Sequence, residues 1–202
     1  LGSLETDHMR DDWIETFAGL SKLCRHYHLS LQSGSDAVLQ RMNRSYDTNR
    51  FTAVVSSLRK HIPDVSVTTD VIVGFPGETE GEFRDSLAFV EWTGFSRVHV
   101  FPYSRREGTK AADMPGQISK AVKTERVSRM MEAARRGQLG YMEAQLGKIL
   151  EVLFEEEKDG RWEGYTDTYL RTAAASGEDL QGAIRPVRLD GIDGELIMGT
   201  VQ

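Results

Sequence analysis

The chain has 202 residues, 39% of them hydrophobic and 28% charged, and this composition excludes a collagen-like, low-complexity or wholly disordered protein. Its single cysteine, Cys24, cannot form an internal disulfide or by itself hold a zinc ion or an iron–sulfur cluster, and we expect it to pack on a helix. The formal net charge of -6 provides no general attraction to nucleic acid, so a nucleic-acid interface would need a local basic surface.

The first two thirds of the chain alternates helical and strand patterns. The predicted elements are a helix over residues 11–24, a strand over 27–32, a helix over 48–61, a strand over 66–73, a helix over 80–92 and a strand over 97–101. Such alternation favours right-handed crossovers and a parallel sheet, either doubly wound or closed into a barrel. The chain begins at Leu1 inside what resembles the end of a strand, and we therefore expect a fragment of a longer protein.

Each of the three predicted strands has one apolar and one polar face. The polar faces carry His28, Ser30 and Gln32 on the first strand, Thr68 and Asp70 on the second, and Arg97 and His99 on the third. A parallel strand that is buried between two helical layers is apolar on both faces. The pattern therefore favours a partial (β/α) barrel whose interior is lined for a ligand.

A long helix is predicted over residues 118–146. Its segment 120–136 is the most basic part of the chain, with six basic and two acidic residues. Two interpretations remain open, namely a solvated helix face and a surface that contacts phosphate groups between two domains. Arg135 and Arg136 are the candidates for phosphate contact in the second interpretation.

The last part of the chain is a series of short strands separated by glycine-containing turns. Five strands are predicted, over residues 148–154, 162–165, 169–173, 182–189 and 195–201, and they favour a small antiparallel five-stranded barrel of the oligonucleotide-binding kind. Residues 143–202 hold 13 acidic and 6 basic residues, so RNA binding here would need a localised surface. The predicted domains are a partial barrel over 1–117, a linking helix over 118–146 and the small barrel over 147–202.

Polar groups follow the predicted parallel strands at their carboxyl ends, where α/β folds bind ligands. Gln32 lies at the first strand end, Asp70 precedes a Gly-Phe-Pro-Gly turn, and Tyr103 follows the third strand. A buried carboxylate needs hydrogen-bond donors, which ribose hydroxyl groups would supply, and Arg41 or Arg44 could hold a carboxylate. Hydrolytic motifs are absent from the sequence. His26 and His28 share a strand face, but two ligands make a poor metal site, and no metal is predicted.

Taken in chain order, these motifs resemble those of the radical S-adenosylmethionine methylthiotransferases. The resemblance rests on residues 29–36 (LSLQSGSD), 42–46 (MNRSY), 68–79 (TTDVIVGFPGET), 99–104 (HVFPYS) and 114–117 (MPGQ). The terminal five-strand segment resembles the TRAM domain of the same family. Residues 95–104 and 164–171 look most like the branch that thiomethylates N6-threonylcarbamoyladenosine in tRNA, while relatives that act on isopentenyl-adenosine or on a ribosomal protein match less well.

The resemblance implies a partial barrel that holds a 4Fe–4S cluster through C-x-x-x-C-x-x-C and cleaves S-adenosylmethionine to a radical, which takes hydrogen from C2 of adenine. A second cluster in an amino-terminal domain assists the insertion of sulfur. This chain has neither the cysteine motif nor that domain, so it resembles the second half of the barrel followed by TRAM. We expect it to transfer no methylthio group alone, to act with the missing amino-terminal part of the same enzyme, and to self-associate through the open barrel edge.

The family's site residues carry over by position. The resemblance implies that Glu5 contacts the methionine part of S-adenosylmethionine, although Thr6 stands where the family usually has proline. Gln32 would line the cofactor cavity, Arg44 would pair with the methionine carboxylate, and Asp70 would face the ribose. The candidate contacts to the tRNA anticodon stem-loop are Tyr165, Tyr169, Arg171, Arg135 and Arg136, and no catalytic or metal-ligating residue is predicted in this chain.

Two further functions stay open on the residues alone. One is a stand-alone RNA-binding module with a vestigial barrel, and the other is a cofactor-free, aldolase-like barrel enzyme. The second is disfavoured because no lysine lies on an inward strand face. No segment approaches the roughly 20 apolar residues of a membrane helix, so we expect a cytoplasmic protein without membrane contact.

Overall fold

Three parallel strands form the sheet of the first part of the chain in the computed structural model, which describes residues 1–202. The strands are β1 (His26–Gln32), β2 (Ser66–Val73) and β3 (Arg97–Pro102), paired in the order β1-β2-β3. The helices are α1 (Asp11–Ala18), α2 (Asp36–Arg41), α3 (Thr48–His61), α4 (Glu80–Thr93), α5 (Lys110–Asp113) and α6 (Lys120–Glu143), and a 3-10 turn covers Thr6–His8. Residues 1–5 extend the sheet beyond β1, because Leu4 forms a parallel bridge with Leu29.

The sheet has one apolar and one polar face, as predicted. Tyr27, Leu29 and Leu31 are buried and belong to the core that the helices cover. The opposite face, called the inner face below, carries His28, Asp70 and His99, with His28 in register with Thr68 and Asp70 in register with His99. We call this sheet with its helices the half barrel.

The helix boundaries follow local signals where these are strong. A capping box of Thr79 and Glu82 begins α4, and Gly94 ends it in the left-handed conformation, with φ of 62°. The predicted helix over 11–24 ends early, at Ala18, where the N–H of Gly19 bonds back to the last turn. Cys24 therefore lies outside any helix and is exposed, which corrects the expectation that it packs on a helix.

The last part of the chain is a closed five-stranded barrel, called the small barrel below. Its strands are β4 (Ile149–Lys158), β5 (Arg161–Thr166), β6 (Arg171–Ala174), β7 (Ile184–Asp193) and β8 (Leu196–Val201), in the order β4-β5-β6-β8-β7. Four neighbouring pairs are antiparallel, but β6 and β8 are parallel, which corrects the expectation of a fully antiparallel barrel. An odd number of strands cannot alternate in direction around a closed ring, so one parallel pair is required.

The small barrel packs against the half barrel at the end where the parallel strands begin. Arg25 forms an ion pair with Asp167, at 2.6 Å between Nε and Oδ2. Lys148 and Tyr141 both contact Asp64, through its carboxylate and its backbone oxygen respectively, each at 2.8 Å. The carboxyl ends of the three strands therefore remain open on the opposite side. None of the helices combines the length and apolar character that crossing a lipid bilayer requires.

Candidate functional site

The carboxyl ends of the parallel strands border a cleft of about 510 Å³, called the strand-end cleft. Its lining residues include Gln32, Asp70, Ile72, Phe101, Tyr103 and Arg106. The prediction that Gln32 and Asp70 share a hollow on one sheet face agrees with this geometry. Its volume lies in the range of small-molecule sites, about 300–1,000 Å³. Tyr103 also lines the cleft, and its hydroxyl group is buried with no hydrogen-bond partner in the chain.

A local irregularity of β1 places Gln32. The register between β1 and β2 shifts between Leu29 and Gln32, and Gln32 adopts the left-handed conformation with φ of 66°. Such strain in a residue other than glycine is typical of functional sites. The following Gly34 packs on α4, where an added Cβ would lie 2.9 Å from the Cα of Ser86, and its N–H donates to the Ser86 hydroxyl at 2.8 Å. Only glycine fits this close approach, which fixes the turn after β1.

The glycine-rich turn after β2 is held from within the protein. Gly74 has φ of 73°, and its N–H donates to Oε2 of Glu78 at 2.7 Å. Arg126 of α6 donates to the same carboxylate at 2.6 Å and to the backbone oxygen of Glu78 at 3.0 Å. Both side chains are almost fully buried, at 5% exposure for Arg126 and 1% for Glu78. Burial raises the pKa of Glu78, while Gly74 and Arg126 act in the opposite direction.

Glu5 and Arg44 lie together but outside the lining of the strand-end cleft. Nη1 of Arg44 is 3.3 Å from Oε1 of Glu5, and both side chains are partly exposed. Glu5 follows Leu4, which pairs with Leu29 at the edge of the sheet. Tyr46 anchors the loop that carries Arg44, because its hydroxyl donates to the backbone oxygen of Ser30 at 2.6 Å. The structure thus brings the four predicted cofactor residues together as two separate pairs.

Arg41 does not serve a ligand. It donates to both oxygens of Glu82, at 2.9 and 2.7 Å, and so ties the end of α2 to the start of α4. This bidentate pair holds the pKa of Glu82 down at about 2. The sequence suggested that Arg41 could hold a carboxylate. In the structure Arg41 holds the carboxylate of Glu82, which belongs to the same chain.

Histidine and threonine side chains form a chain of contacts along the inner face. Oγ1 of Thr68 lies 2.9 Å from Nε2 of His26 and 3.0 Å from Nδ1 of His28, whose Nε2 faces Asp70 at 3.4 Å. A carboxylate only accepts, so Nε2 of His28 carries the proton that faces Asp70. In neutral His28, Nδ1 then accepts from the Thr68 hydroxyl, which in turn accepts from His26. Desolvation by burial lowers the pKa of His26 to about 4.

Three of these inner-face groups could hold a metal ion. The ligand atoms of His28, Asp70 and His99 lie within 4.8 Å of one another. The sequence paired His26 with His28 and predicted no metal, because the approach of Asp70 and His99 depends on the register of three strands. An iron–sulfur cluster does not fit this chain, whose only cysteine, Cys24, is exposed.

Three of the six basic residues in segment 120–136 of α6 form ion pairs within the chain. Arg126 pairs with Glu78, Arg129 pairs with Glu80 and Glu125, and Arg136 pairs with Glu91 and Glu132. Arg135 is exposed and forms no ion pair. In the small barrel, Arg171 pairs with Glu163. Of the three arginines predicted to contact RNA, only Arg135 is therefore free of an acidic partner.

The two tyrosines predicted to contact RNA form a stack with a histidine. Tyr169 lies 4.8 Å from Tyr165 and 4.7 Å from His26, measured between ring centres, and its ring is nearly parallel to both. Tyr169 nevertheless remains 55% exposed. An RNA base would contact its edge or displace one of the two neighbouring rings, and the RNA role of both tyrosines stays a prediction.

Sequence reasoning assigned no role to three residues that the structure brings into the site. Tyr46 fixes the loop of Arg44, Thr68 links two histidines, and Arg97 lies in register with Thr68 on the inner face. The alternation of β3 already placed Arg97 on this face. Nothing in the sequence indicated the partners of Tyr46 and Thr68, because their contacts depend on the fold.

Comparisons with known proteins give a consistent result. The family model of the radical SAM superfamily matches residues 3–90. The chain is 39% identical over 194 residues to threonylcarbamoyladenosine tRNA methylthiotransferase MtaB of Bacillus subtilis, with 94% of this chain and 43% of the relative covered. It is also 39% identical over 207 residues to tRNA-2-methylthio-N(6)-dimethylallyladenosine synthase of Symbiobacterium thermophilum, with 97% of this chain and 44% of the relative covered. The chain thus spans less than half the length of these relatives.

A solved structure shares the fold. Coproporphyrinogen III oxidase (HemN) from Escherichia coli, a radical SAM enzyme, superposes with a TM-score of 0.56 over 67% of this chain and 31% of its own. The sequence identity is 18%, so the likeness concerns the fold alone.

Proposed function

Because the chain belongs to the radical S-adenosylmethionine tRNA methylthiotransferase family, we propose that it contributes the cofactor cleft and part of the tRNA surface of such an enzyme. The proposed reaction adds a methylthio group to C2 of N6-threonylcarbamoyladenosine next to the anticodon. The single observation that carries the proposal is the position of Gln32 and Asp70 in one cleft at the carboxyl ends of the parallel strands.

The cleft fits S-adenosylmethionine in its chemistry. Ile72 offers apolar surface for an adenine ring, and Asp70 offers acceptors for ribose hydroxyl groups. Glu5 can pair with the ammonium group of the methionine part, and Arg44 can pair with its carboxylate. Binding of the methionine part would therefore break the ion pair that Glu5 and Arg44 now form with each other. When bound, S-adenosylmethionine supplies the carbon radical of the family's chemistry. The cofactors of the intact enzyme are S-adenosylmethionine and 4Fe–4S clusters, and the cluster ligands would come from outside this chain.

The tRNA surface is proposed to include Arg135, an exposed arginine of α6 without an ion pair, and the Tyr165–Tyr169 stack of the small barrel. We assign residues 1–117 to the half barrel, 118–146 to the linking helix and 147–202 to a TRAM domain. The amino-terminal part of the same enzyme is the proposed partner of the sheet edge at residues 1–5, and without it we expect no methylthio transfer and self-association through that edge.

The cofactor assignment is tested by calorimetric titration of the chain with S-adenosylhomocysteine. Wild type should release binding heat, and Asp70→Ala should weaken binding about tenfold or more, because a hydrogen bond to a charged group is removed. Asp85→Ala removes an exposed carboxylate of α4 and serves as the matched control, with affinity unchanged. Equal heats for wild type and Asp70→Ala would remove Asp70 from the site.

A further inference from the structure

We propose that the groove along the free edge of β3 binds the carboxylate of the threonylcarbamoyl group, with Arg97 as the residue that recognises it. This inference rests on the proposed function, since it names the part of the substrate that the inner face selects. It concerns Arg97, to which neither the family motifs nor the cofactor assignment gives a role.

The groove, called the β3 groove, has a volume of about 260 Å³ and runs beside the strand-end cleft. Its polar lining consists of Arg97, His99, Arg135, Gln138 and Glu195, and its apolar lining consists of Phe101, Val98, Val100, Met131 and Ala134. Phe101 lines both the β3 groove and the strand-end cleft, so the two spaces meet at its ring. Phe101 is 50% exposed, which leaves a ring face for an adenine base.

The side chains of Phe101, His99 and Arg97 follow one another along the inner face. Alternate residues of a strand are about 6.6 Å apart, so Arg97 lies about 13 Å along β3 from Phe101, a span that the substituent on N6 of adenine and the long arginine side chain would bridge together. A base on Phe101 would therefore extend its tail past His99 toward Arg97. Asp70 pairs with His99 in the register of the sheet, which places the cofactor residue beside the same path.

Arg97 is available for an anion. Its side chain is 48% exposed, and its ion pair with Glu195 is long, at 3.8 Å between Nη2 and Oε2, which is beyond hydrogen-bond distance. Arg135 adds a second cation to the groove, one that forms no ion pair, and Gln138 adds amide donors. The planar guanidinium of arginine matches the two oxygens of a carboxylate.

The chemistry of the groove separates the two tails that the relatives' names specify. A threonylcarbamoyl group carries a carboxylate, whereas a dimethylallyl group has no hydrogen-bonding atom. A dimethylallyl tail could contact the apolar residues of this groove, but it would give Arg97 no anionic partner, whereas the charged tail supplies one. The groove therefore favours the substrate with the charged tail, and identity alone does not, since both types of relative are 39% identical to the chain.

The test measures binding of anticodon stem-loop RNAs to the 202-residue chain by fluorescence anisotropy. Three RNAs differ only in the adenosine substituent, which is threonylcarbamoyl, its methyl ester or dimethylallyl. Wild type should bind the free acid about tenfold more tightly than the other two, as expected for one charge-assisted, bidentate contact. Arg97→Ala should bind all three alike, and Arg97→Lys should keep part of the preference.

Arg185→Ala is the matched control, because it removes an exposed arginine of the small barrel that forms no ion pair. It should leave the preference intact, and thermal unfolding should confirm that each variant is folded. Equal affinity of wild type for the three RNAs overturns the inference and leaves the proposed function standing. If Arg97→Ala lowers the affinity for all three RNAs equally and keeps the preference for the free acid, the inference is also overturned, because Arg97 would then contact phosphate. Failure to bind any RNA overturns the tRNA assignment itself.

Discussion

His26 lies at the start of β1, where the small barrel meets the inner face. Its ring stacks on Tyr169, and its Nε2 contacts the hydroxyl of Thr68, which continues to His28 and Asp70. The same histidine therefore connects the domain interface with the candidate site. Its protonation would add a charge to a partly buried position, while its Nε2 would still donate to Thr68.

The lowered pKa of His26 predicts a loss of stability in mild acid. The folded chain holds His26 at a pKa of about 4, whereas the unfolded chain has the ordinary value of 6.5. Between these values the unfolded state binds more protons, so the free energy of unfolding falls as the pH falls, by at most about 1.4 kcal/mol per pH unit. Above the unfolded value His26 makes no such contribution. Urea unfolding at a series of pH values measures the slope.

His26→Gln is the comparison for this prediction, because its amide can still contact Thr68 but does not titrate. The stability difference between wild type and His26→Gln should change between pH 6.5 and about 4 and stay constant at higher pH. A difference that is independent of pH over this window would show that His26 is not held neutral by the fold.

At the scale of elements, the sequence predicts best where a segment carries its own signals. The helix over 48–61 and the strand over 66–73 begin and end as predicted, because hydrophobic spacing, the stop at Pro63 and a run of β-branched residues mark them. The helix over 11–24 fails beyond Ala18, since the apolar spacing continues while Gly19 closes the last turn and Leu20 is exposed. The spacing of apolar residues along a segment does not show whether that segment packs against another element of the fold.

In the candidate site, too, the sequence predicts some features and misses others. Strand alternation predicts the inner-face positions of Gln32, Asp70 and Arg97, because it depends only on neighbouring residues. The pairing of Arg41 with Glu82 joins residues 41 apart, and the stack of Tyr169 on His26 joins two domains. Such contacts depend on packing between elements, so a single sequence cannot supply them.

The buried pair of Glu78 and Arg126 connects two elements, the turn after β2 and helix α6. Arg126→Met should lower the free energy of unfolding by about 3–5 kcal/mol, because it leaves the Glu78 carboxylate buried without its cation. Urea unfolding at neutral pH measures the loss. The raised pKa of Glu78 should rise further in this variant, so part of the loss should disappear in acid, where the carboxyl group is protonated in both states.

The double variant Glu78→Gln/Arg126→Met tests the cause. It removes both charges and should recover part of the lost stability, because no uncompensated carboxylate remains. If the double variant were as unstable as Arg126→Met, the contact of the Arg126 guanidinium with the Phe83 ring, rather than its pairing with Glu78, would account for the loss.

At the scale of the whole molecule, helix α6 belongs to both cores. Met130 is fully buried in the core of the half barrel, and Met142, three turns further along the same helix, is buried in the core of the small barrel. The ion pair of Arg25 with Asp167 and the contacts of Asp64 add polar links at the same end. A continuous helix between the cores holds the strand-end cleft and the small barrel in a fixed relation.

This sharing of α6 predicts that the two parts unfold in one transition. Trp162 is buried in the small barrel, and its fluorescence reports that part once Trp13 and Trp92, both exposed, are replaced by phenylalanine. Helical circular dichroism reports mainly the half barrel, which contains the helices. The two signals should follow the same urea transition, since loss of either core removes the packing of α6.

Met142→Ala should move both signals together to lower urea concentration, with a loss of about 2–5 kcal/mol in the free energy of unfolding for a buried methionine. A small-barrel transition that shifts alone in Met142→Ala, with the circular dichroism unchanged, would show instead that α6 joins two independently stable domains.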